Sequence, residues 1–457
     1  MSASDDRFHD ECGVCAVAGH VDAANLVYLG LYALQHRGQE SAGIAVAGDG
    51  ELNHHKGMGH VAEVFDRERL GRLPGAAAVG HVRYSTAGSS TLVNAQPVVA
   101  ATHRGRLALA HNGNLVNALR LRRRLEAEGA IFQSTSDSEV FLHLLARSRA
   151  ATLEAALLES LDAAVGAYSL AVLCDEQLFA ARDPHGFRPL VLGRLDGAWV
   201  VASESCALDL LGAALVREVA PGEVVELAGE TPRVLRPGGP GPFAHCVFEH
   251  VYFARPDSRV FGEDVTAARA GFGRRLAEEH PADADVVVPV PDSGVPSALG
   301  YAGRSGLPFA FGLVRNHYVG RTFIEPRQAI RHFGVKVKLN PARSVVERRR
   351  IVLVDDSIVR GTTSRKIVAM LRAAGALEVH LRISSPPTTG PCFYGIDTPE
   401  RAELIASSQG VEEIRAFTGA DSLGFLSETG MLSCLATPPE NFCTACFSGR
   451  YPVLDQS

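Results

Sequence analysis

The stretch "IVLVDDSIVRGTTSRK", residues 351–366, decides how half of the chain is read. A β-branched apolar run ends in Asp355 and Asp356. Ser357 follows, and then Gly361, Thr362, Thr363 and Ser364 lead into the helical pattern of "TTSRKIVAMLRAAGA". This is a strand, a glycine turn and a helix. Free N–H groups at a helix start, with three hydroxyls beside them, make an anion cradle. Two carboxylates so close would repel an anion unless they hold sugar hydroxyls, or a Mg²⁺ that neutralises them. A phosphorylated ribose with a metal-bound pyrophosphate satisfies both halves. The Gly-Lys-Ser/Thr ending of an ATP-hydrolysing loop is missing. An acidic strand end before a capped helix also occurs without any ligand, so the loop needs support from the rest of the chain.

Around it, "ADVVVPVP", "PFAFGLV" and "RRIVLVDD" read as buried strands alternating with helix, the pattern of a parallel, helix-covered sheet. Upstream, "LRPGGPGPF" (235–243) breaks both helix and strand and marks a domain boundary, with 12–240 before it and 241–457 after it. The first half carries short strands in "CGVCAVAGH", "SAGIAVAG", "AAVGHVRYS", "RLALAHNGN", "SLAVLC", "QLFAARD" and "AWVVASE". Helical spacing appears in "NALRLRRRLEAEG" and in "SDSEVFLHLLARSRAATLEAALLESL", the latter with a cap signal at Ser136 and Asp137. Strands, helices and strands again predict a layered α/β sandwich.

With 457 residues, two domains are expected. The 45 Lys and Arg against 51 Asp and Glu give a net charge of −6, so there is no global attraction to nucleic acid or an anionic membrane. Any phosphate site must be local. No window approaches the roughly 18 apolar residues of a membrane span, and the acidic N-terminus lacks the parts of a signal peptide. The chain reads as cytoplasmic. Its nine cysteines are then reduced thiols, catalytic groups or metal ligands rather than a disulfide framework.

The 351–366 loop resembles the phosphoribosyl-diphosphate (PRPP) signature of type I phosphoribosyltransferases, and "VPVPDSGVPS" (288–297) resembles the family's pyrophosphate loop, with Asp292, Ser293 and Gly294 at a strand end. The resemblance implies that Ser293 joins Asp355 and Asp356 around Mg²⁺. It also implies that the basic segment "GRTFIEPRQAIRHFGVKVKLN", with Arg331, Lys336 and Lys338, closes over the pyrophosphate and excludes water.

In the first half, "ECGVCAVAGH", "LQHRGQESAGIA", "GHVRYSTAGSS", "LAHNGNLVN" and "TSDSE" resemble the class II glutamine amidotransferases, whose N-terminal-nucleophile (Ntn) αββα fold uses the first residue's thiol. Attack on a carboxamide needs a thiolate and a base, and a free α-amine of pKa about 8 is such a base. Cys12 has that amine only after cleavage behind Glu11, so residues 1–11 are expected to be a propeptide removed autocatalytically. By position, Asn112 and the N–H of Gly113 would stabilise the oxyanion. Arg83 would clamp the glutamine α-carboxylate, and Asp137 would take its α-amino group.

Together with "RDPHGFRPL", "ASES" and "FEHVYFARPDS", these pieces make the chain resemble the amidophosphoribosyltransferase family over nearly its whole length. The resemblance implies a glutamine-dependent conversion of PRPP to 5-phosphoribosylamine, the opening step of purine synthesis, with ammonia passing between the two sites. It further implies feedback inhibition by purine nucleotides and a homotetramer. Cys246, Cys392, Cys443 and Cys446 could bind zinc or an iron–sulfur cluster, which spacing does not separate; the resemblance is to the subgroup carrying a [4Fe–4S] cluster and a propeptide. Cys15, Cys174, Cys206 and Cys434 read as structural. Two rivals stand beside this reading: a PRPP-sensing regulator without catalysis, which lacks a basic DNA-binding domain here, and an amidotransferase for another sugar, which "RGTTS" after paired aspartates disfavours.

Overall fold

The computed structural model describes residues 12–84, 91–316 and 339–454. The expected propeptide and most of the basic segment, including Arg331, Lys336 and Lys338, lie outside the described residues.

Residues 13–236 build two stacked antiparallel sheets. The seven-stranded sheet has the order Ala214–Glu218, Val191–Leu195, Ala198–Ala202, Gly13–Ala18, Ala77–Arg83, Ser41–Gly48 and Glu51–Met58. The six-stranded sheet has the order Arg233–Arg236, Val224–Glu226, Gln177–Arg182, Gly166–Cys174, Gly105–Leu115 and Val98–Thr102. Strand alternation explains the layering. Val14, Ala16 and Ala18 face the second sheet and meet Ala108, Ala110, Ala171 and Leu173 there. Cys15 and Val17 face outward onto helix Ala23–Ala33, through Val27 and Leu31. Small side chains on the inner face let the sheets approach closely. The outer face of the second sheet is covered by helices Glu139–Arg147 and Leu153–Ala163. The result is the expected αββα sandwich.

The helical stretch 136–161 is broken where one helix was expected. It divides at residues 148–152, and Thr152 caps the second helix by accepting from Ala155 N–H. Ser136 and Asp137 do not cap the first. It opens at Glu139, and the Asp137 carboxylate turns away to accept from Leu115 N–H at 2.9 Å.

The second half holds a parallel sheet of Val286–Pro289, Arg350–Asp355, Glu378–Ile383 and Ser422–Phe425. Val287, Val352 and Val354 pack towards helices Val265–Glu279 and Val295–Ser305, while Val286, Val288, Ile351 and Leu353 pack towards Thr362–Ala373 and Val411–Thr418. Burial on both faces accounts for the unbroken apolar runs. A separate pair, His245–Cys246 alongside Phe442–Cys443, joins the start of this half to its end.

His81, fully buried on strand Ala77–Arg83, spans the sheet interface by bonding through Nε2 to the His111 carbonyl at 2.9 Å. Burial pushes its pKa down to about 3, against a weaker raising effect of that bond. It is therefore neutral in the folded protein and charged in the unfolded chain below the ordinary histidine pKa near 6.5. Its contribution to stability is present above that value and is lost as pH falls, by about 1.4 kcal/mol per pH unit, or roughly 2 kcal/mol by pH 5. Denaturant unfolding at pH 7.5 and pH 5 is expected to show this loss, and His81→Gln, which keeps a donor but does not titrate, should flatten it by about one proton.

Candidate functional site

Two sites and a connection between them emerge from this framework. In the first half, Gly13 pairs with Val82 and Val14 with His81, which brings Cys12 to the Arg83–Tyr84 end of the neighbouring strand. Cys12 is buried, and its thiol donates to the Tyr84 carbonyl at 3.6 Å. Arg83, also buried, stands 3.9 Å from Glu40. The His81–His111 bond carries the same end of the first sheet onto the strand holding Asn112 and Gly113. Asp137 is 3.8 Å from His111 Nδ1, which also bonds Ser138 Oγ at 3.0 Å. Cys12, Arg83, Asn112, Gly113 and Asp137, distant in sequence, thus belong to one end of the sandwich.

Asn112 is fully buried, yet neither its side-chain oxygen nor its nitrogen has a hydrogen-bond partner among the described residues. An unpaired buried amide costs roughly 1–3 kcal/mol, and such a group in a native site calls for a ligand. Gly113 has φ +146°, and a Cβ there would stand 2.1 Å from the Ala167 carbonyl oxygen, so only glycine is accommodated. Cys15 lies under the helix at Gly30, with burial pushing its thiol up to about 12. A thiol so hard to ionise is a poor nucleophile, in keeping with a structural role. Burial likewise raises the Cys174, Cys206 and Cys434 thiols.

In the second half, Asp355, Asp356, Ser357, Thr363 and Ser364 line one cleft at the C-terminal end of the parallel sheet. Ser357 Oγ donates to Asp356 Oδ1 at 2.7 Å, and the Asp356 N–H donates to Asp355 Oδ1 at 3.0 Å. Gly361 immediately precedes helix Thr362–Ala373, whose first N–H groups face this end. The adjacent strand brings Asp292 and Ser293 alongside, through the Val290 N–H to Val354 carbonyl bond of 2.8 Å. The Ser293 oxygen is buried without a partner among the described residues, whereas Asp292 is exposed and paired with Arg315. Lys338 lies outside the described residues.

The four cysteines of the proposed cluster are neighbours. Cys246 is the register partner of Cys443, and Cys446 lies three residues beyond Cys443. The Cys446 thiol is raised well above its ordinary value, first by burial and then by Cys246, Cys443 and Cys392. Among the described residues, however, no group of three or more His, Cys, Asp or Glu side chains is arranged to hold a metal ion. The expected cysteine set of Cys246, Cys392, Cys443 and Cys446 is therefore not assembled as a ligand sphere, while Asp355 and Asp356, the carboxylates of the other expected set, line one cleft.

Sequence reasoning attached no role to the charged residues of "QHRG", "ASES", "GFRPL" and "FEH", and these prove to join the two halves. Arg37 is fully buried and bonded through its guanidinium to both Glu204 and Glu249. Arg188 stands 3.4 Å from Glu249 and donates to the Tyr394 carbonyl at 2.9 and 3.0 Å. Glu204 also takes His36 at 2.7 Å, Arg255 N–H at 2.9 Å and Ser258 Oγ at 2.5 Å. Burial alone would raise the Glu204 carboxyl, but Arg37 and His36 outweigh it and hold the group well below the carboxylate range. The signal available in the sequence was a charge set within otherwise apolar segments.

A glutamine amidotransferase domain model matches residues 81–210. The chain is 54% identical over 453 residues, 98% of its length, to amidophosphoribosyltransferase 2, chloroplastic, of Arabidopsis thaliana, covering 80% of that protein. It is 50% identical to the amidophosphoribosyltransferase of Bacillus subtilis strain 168, over 99% of the chain and 96% of the relative. The solved glutamine PRPP amidotransferase from B. subtilis, complexed with ADP and GMP, superposes with a TM-score of 0.92 at 48% identity, over 96% of this chain and 97% of that one.

Removing Glu249 leaves Arg188 and part of the Arg37 fork buried without their counter-charge. Glu249→Leu is therefore expected to cost about 3–5 kcal/mol, read as a lowered denaturant midpoint. A variant as stable as the parent would show that the carboxylate is dispensable to the join.

Proposed function

The chain belongs to the amidophosphoribosyltransferase family, and from that premise we propose how its own residues carry the two half-reactions. It is an enzyme of the pentosyltransferase kind with a glutamine amidotransferase domain. Its reaction converts PRPP, glutamine and water to 5-phosphoribosylamine, glutamate and pyrophosphate, the first step of purine synthesis. The two halves correspond to a glutaminase domain, 12–240, and a phosphoribosyltransferase domain, 241–457.

In the glutaminase half, the Cys12 thiolate attacks the carboxamide carbon. Ammonia leaves from the tetrahedral intermediate, and water then hydrolyses the thioester to glutamate. The base is the α-amine of Cys12, made available by removal of residues 1–11. Asn112 and Gly113 N–H hold the oxyanion, Arg83 takes the α-carboxylate and Asp137 the α-amino group. One observation carries this reading: the Asn112 amide is fully buried and unpaired beside a glycine in the same strand as the resemblance demands. A donor kept empty in the resting protein is what transition-state stabilisation requires.

In the second half, Asp355 and Asp356 accept the ribose hydroxyls, and the helix start at Gly361–Ser364 cradles the 5-phosphate. Ser293, with Asp292 beside it, lies where the pyrophosphate would leave, and Lys338 would close over it. The buried Ser293 hydroxyl, just beyond the strand that neighbours the one ending in Asp355 and Asp356, fits a Mg²⁺–pyrophosphate, and Mg²⁺ when bound would supply neutralisation of the leaving charge. The buried Cys246, Cys443 and Cys446 and the half-buried Cys392, drawn towards one another by the pairing of His245–Cys246 with Phe442–Cys443, favour a [4Fe–4S] cluster that would tie the C-terminal segment to the rest of the fold.

The B. subtilis relative complexed with ADP and GMP supports regulation by purine nucleotides, and a homotetramer accompanies that reading. No described helix is long and apolar enough to cross a membrane. The cytoplasmic assignment is a reading of the sequence alone, and the Arabidopsis thaliana relative is chloroplastic.

Asn112→Ala is expected to lower the glutamine-dependent rate roughly 10²–10³-fold, to leave the ammonia-dependent reaction with PRPP intact, and not to lower the melting temperature, because no hydrogen bond is lost. Cys12→Ser should abolish glutamine use and keep ammonia use. Loss of both activities in folded protein would contradict separate sites. An intact mass lacking residues 1–11, with iron–sulfur absorption in the same anaerobic sample, is the expected signature of both cysteine assignments. A colourless, uncleaved, zinc-bearing protein would overturn them.

A further inference from the structure

Gly113 is pinched between two backbones. On one side lies the Ala167 carbonyl of the neighbouring strand. On the other lies Gly395, which comes from the opposite half of the chain. A Cβ on Gly395 would stand 2.9, 3.0 and 3.1 Å from the carbonyl carbon, Cα and carbonyl oxygen of Gly113, and Gly395 itself has φ +107°. The contact is possible only because neither residue has a side chain.

The turn carrying Gly395 is held by the first half through three anchors on the two residues before it, Phe393 and Tyr394. Asn114 Nδ2 donates to the Phe393 carbonyl at 2.9 Å. Arg188 donates twice to the Tyr394 carbonyl, while its other nitrogen reaches Glu249. Phe187 stacks on the Tyr394 ring, with centroids 4.2 Å apart and planes 18° apart. Such a set of anchors fixes a turn far more tightly than packing alone requires.

We propose that Gly395 is a positioning residue for the glutaminase reaction: the turn 393–395 forms a rigid wall behind the Gly113 peptide and sets where its N–H points. This rests on the reading of Gly113 as an oxyanion donor. The N–H and carbonyl of a strand peptide move with its Cα, so a wall a few tenths of an ångström further in displaces the donor. The glutamine α-carboxylate and α-amino contacts are made by other side chains, those of Arg83 and Asp137. The loss therefore falls on the transition state and not on substrate binding.

Gly395→Ala in the full-length enzyme tests this. The expected result is a roughly 10- to 100-fold fall in kcat for glutamine hydrolysis with an unchanged KM for glutamine and an unchanged ammonia-dependent rate. Glutamate γ-semialdehyde, whose hemithioacetal with Cys12 carries the tetrahedral oxygen, should bind more weakly by a similar factor, while glutamate binding stays constant; a merely structural defect would weaken both. Asn114→Ala, which releases the Phe393 carbonyl without adding an atom, should give a smaller loss of the same kind and decides the matter if Gly395→Ala does not fold. With Asn112→Ala as the control, two failures are distinguishable. If Asn112→Ala is impaired and the folded wall variants hydrolyse glutamine at the parental rate, the positioning role is overturned. If Asn112→Ala is itself unimpaired, the oxyanion reading fails first.

Discussion

The buried charges of Arg37, Glu204, Glu249 and Arg188 are the constraint on which the rest of this molecule depends. Arg37 and Glu204 belong to the sandwich, and Glu249 to the turn that begins the second half. None of the four side chains is exposed. Desolvating so many charges is unfavourable unless each is paired and hydrogen-bonded. The network therefore tolerates one relative placement of the halves and penalises others, where an apolar interface of similar size would permit sliding. What it adds is registry more than adhesion.

From that registry the placement of both sites follows. Arg188, fixed by Glu249, holds Tyr394, and Tyr394 carries Gly395 onto Gly113. The cysteine-bearing segments converge on the same region. Cys392 accepts from Tyr394 N–H at 3.3 Å, and Cys246 follows the chain's crossing between the halves. The cleft lined by Asp355 and Asp356 sits on the far elements, where strands Val286–Pro289 and Arg350–Asp355 lie in register. Neither half can be displaced without disturbing the other's chemistry.

Much of this was legible from the sequence because it is local. Alternation in "GVCAVA" separates Val14 and Ala16 from Cys15 and Val17, and the structure sends them to opposite faces. Apolar runs ending in Asp355 and Asp356 give a buried parallel strand with its acidic pair at the end. What could not be read is what depends on tertiary partners. Asp137 looks like a helix cap because its neighbours are polar, but the Leu115 N–H competes for it across 22 residues of sequence. The apolar stretch 139–161 reads as one helix, and the break around Ser148 is settled by Arg104 donating to the Ser148 and Ala150 carbonyls. Gly395 carries no signal of its own, since its role exists only once Gly113 is beside it.

The contact between Gly113 and Gly395 also has a meaning in time. During synthesis at about 5–20 residues per second, roughly 280 residues, on the order of 15 s to a minute of elongation, separate the two glycines. The sandwich can close and bury its core in that interval, since every strand of its sheets lies before residue 237. The strand holding Gly113 meanwhile lacks its contact with Gly395. A nascent chain thus holds a folded sandwich whose Gly113 strand is still open on the side that Gly395 covers in the finished protein.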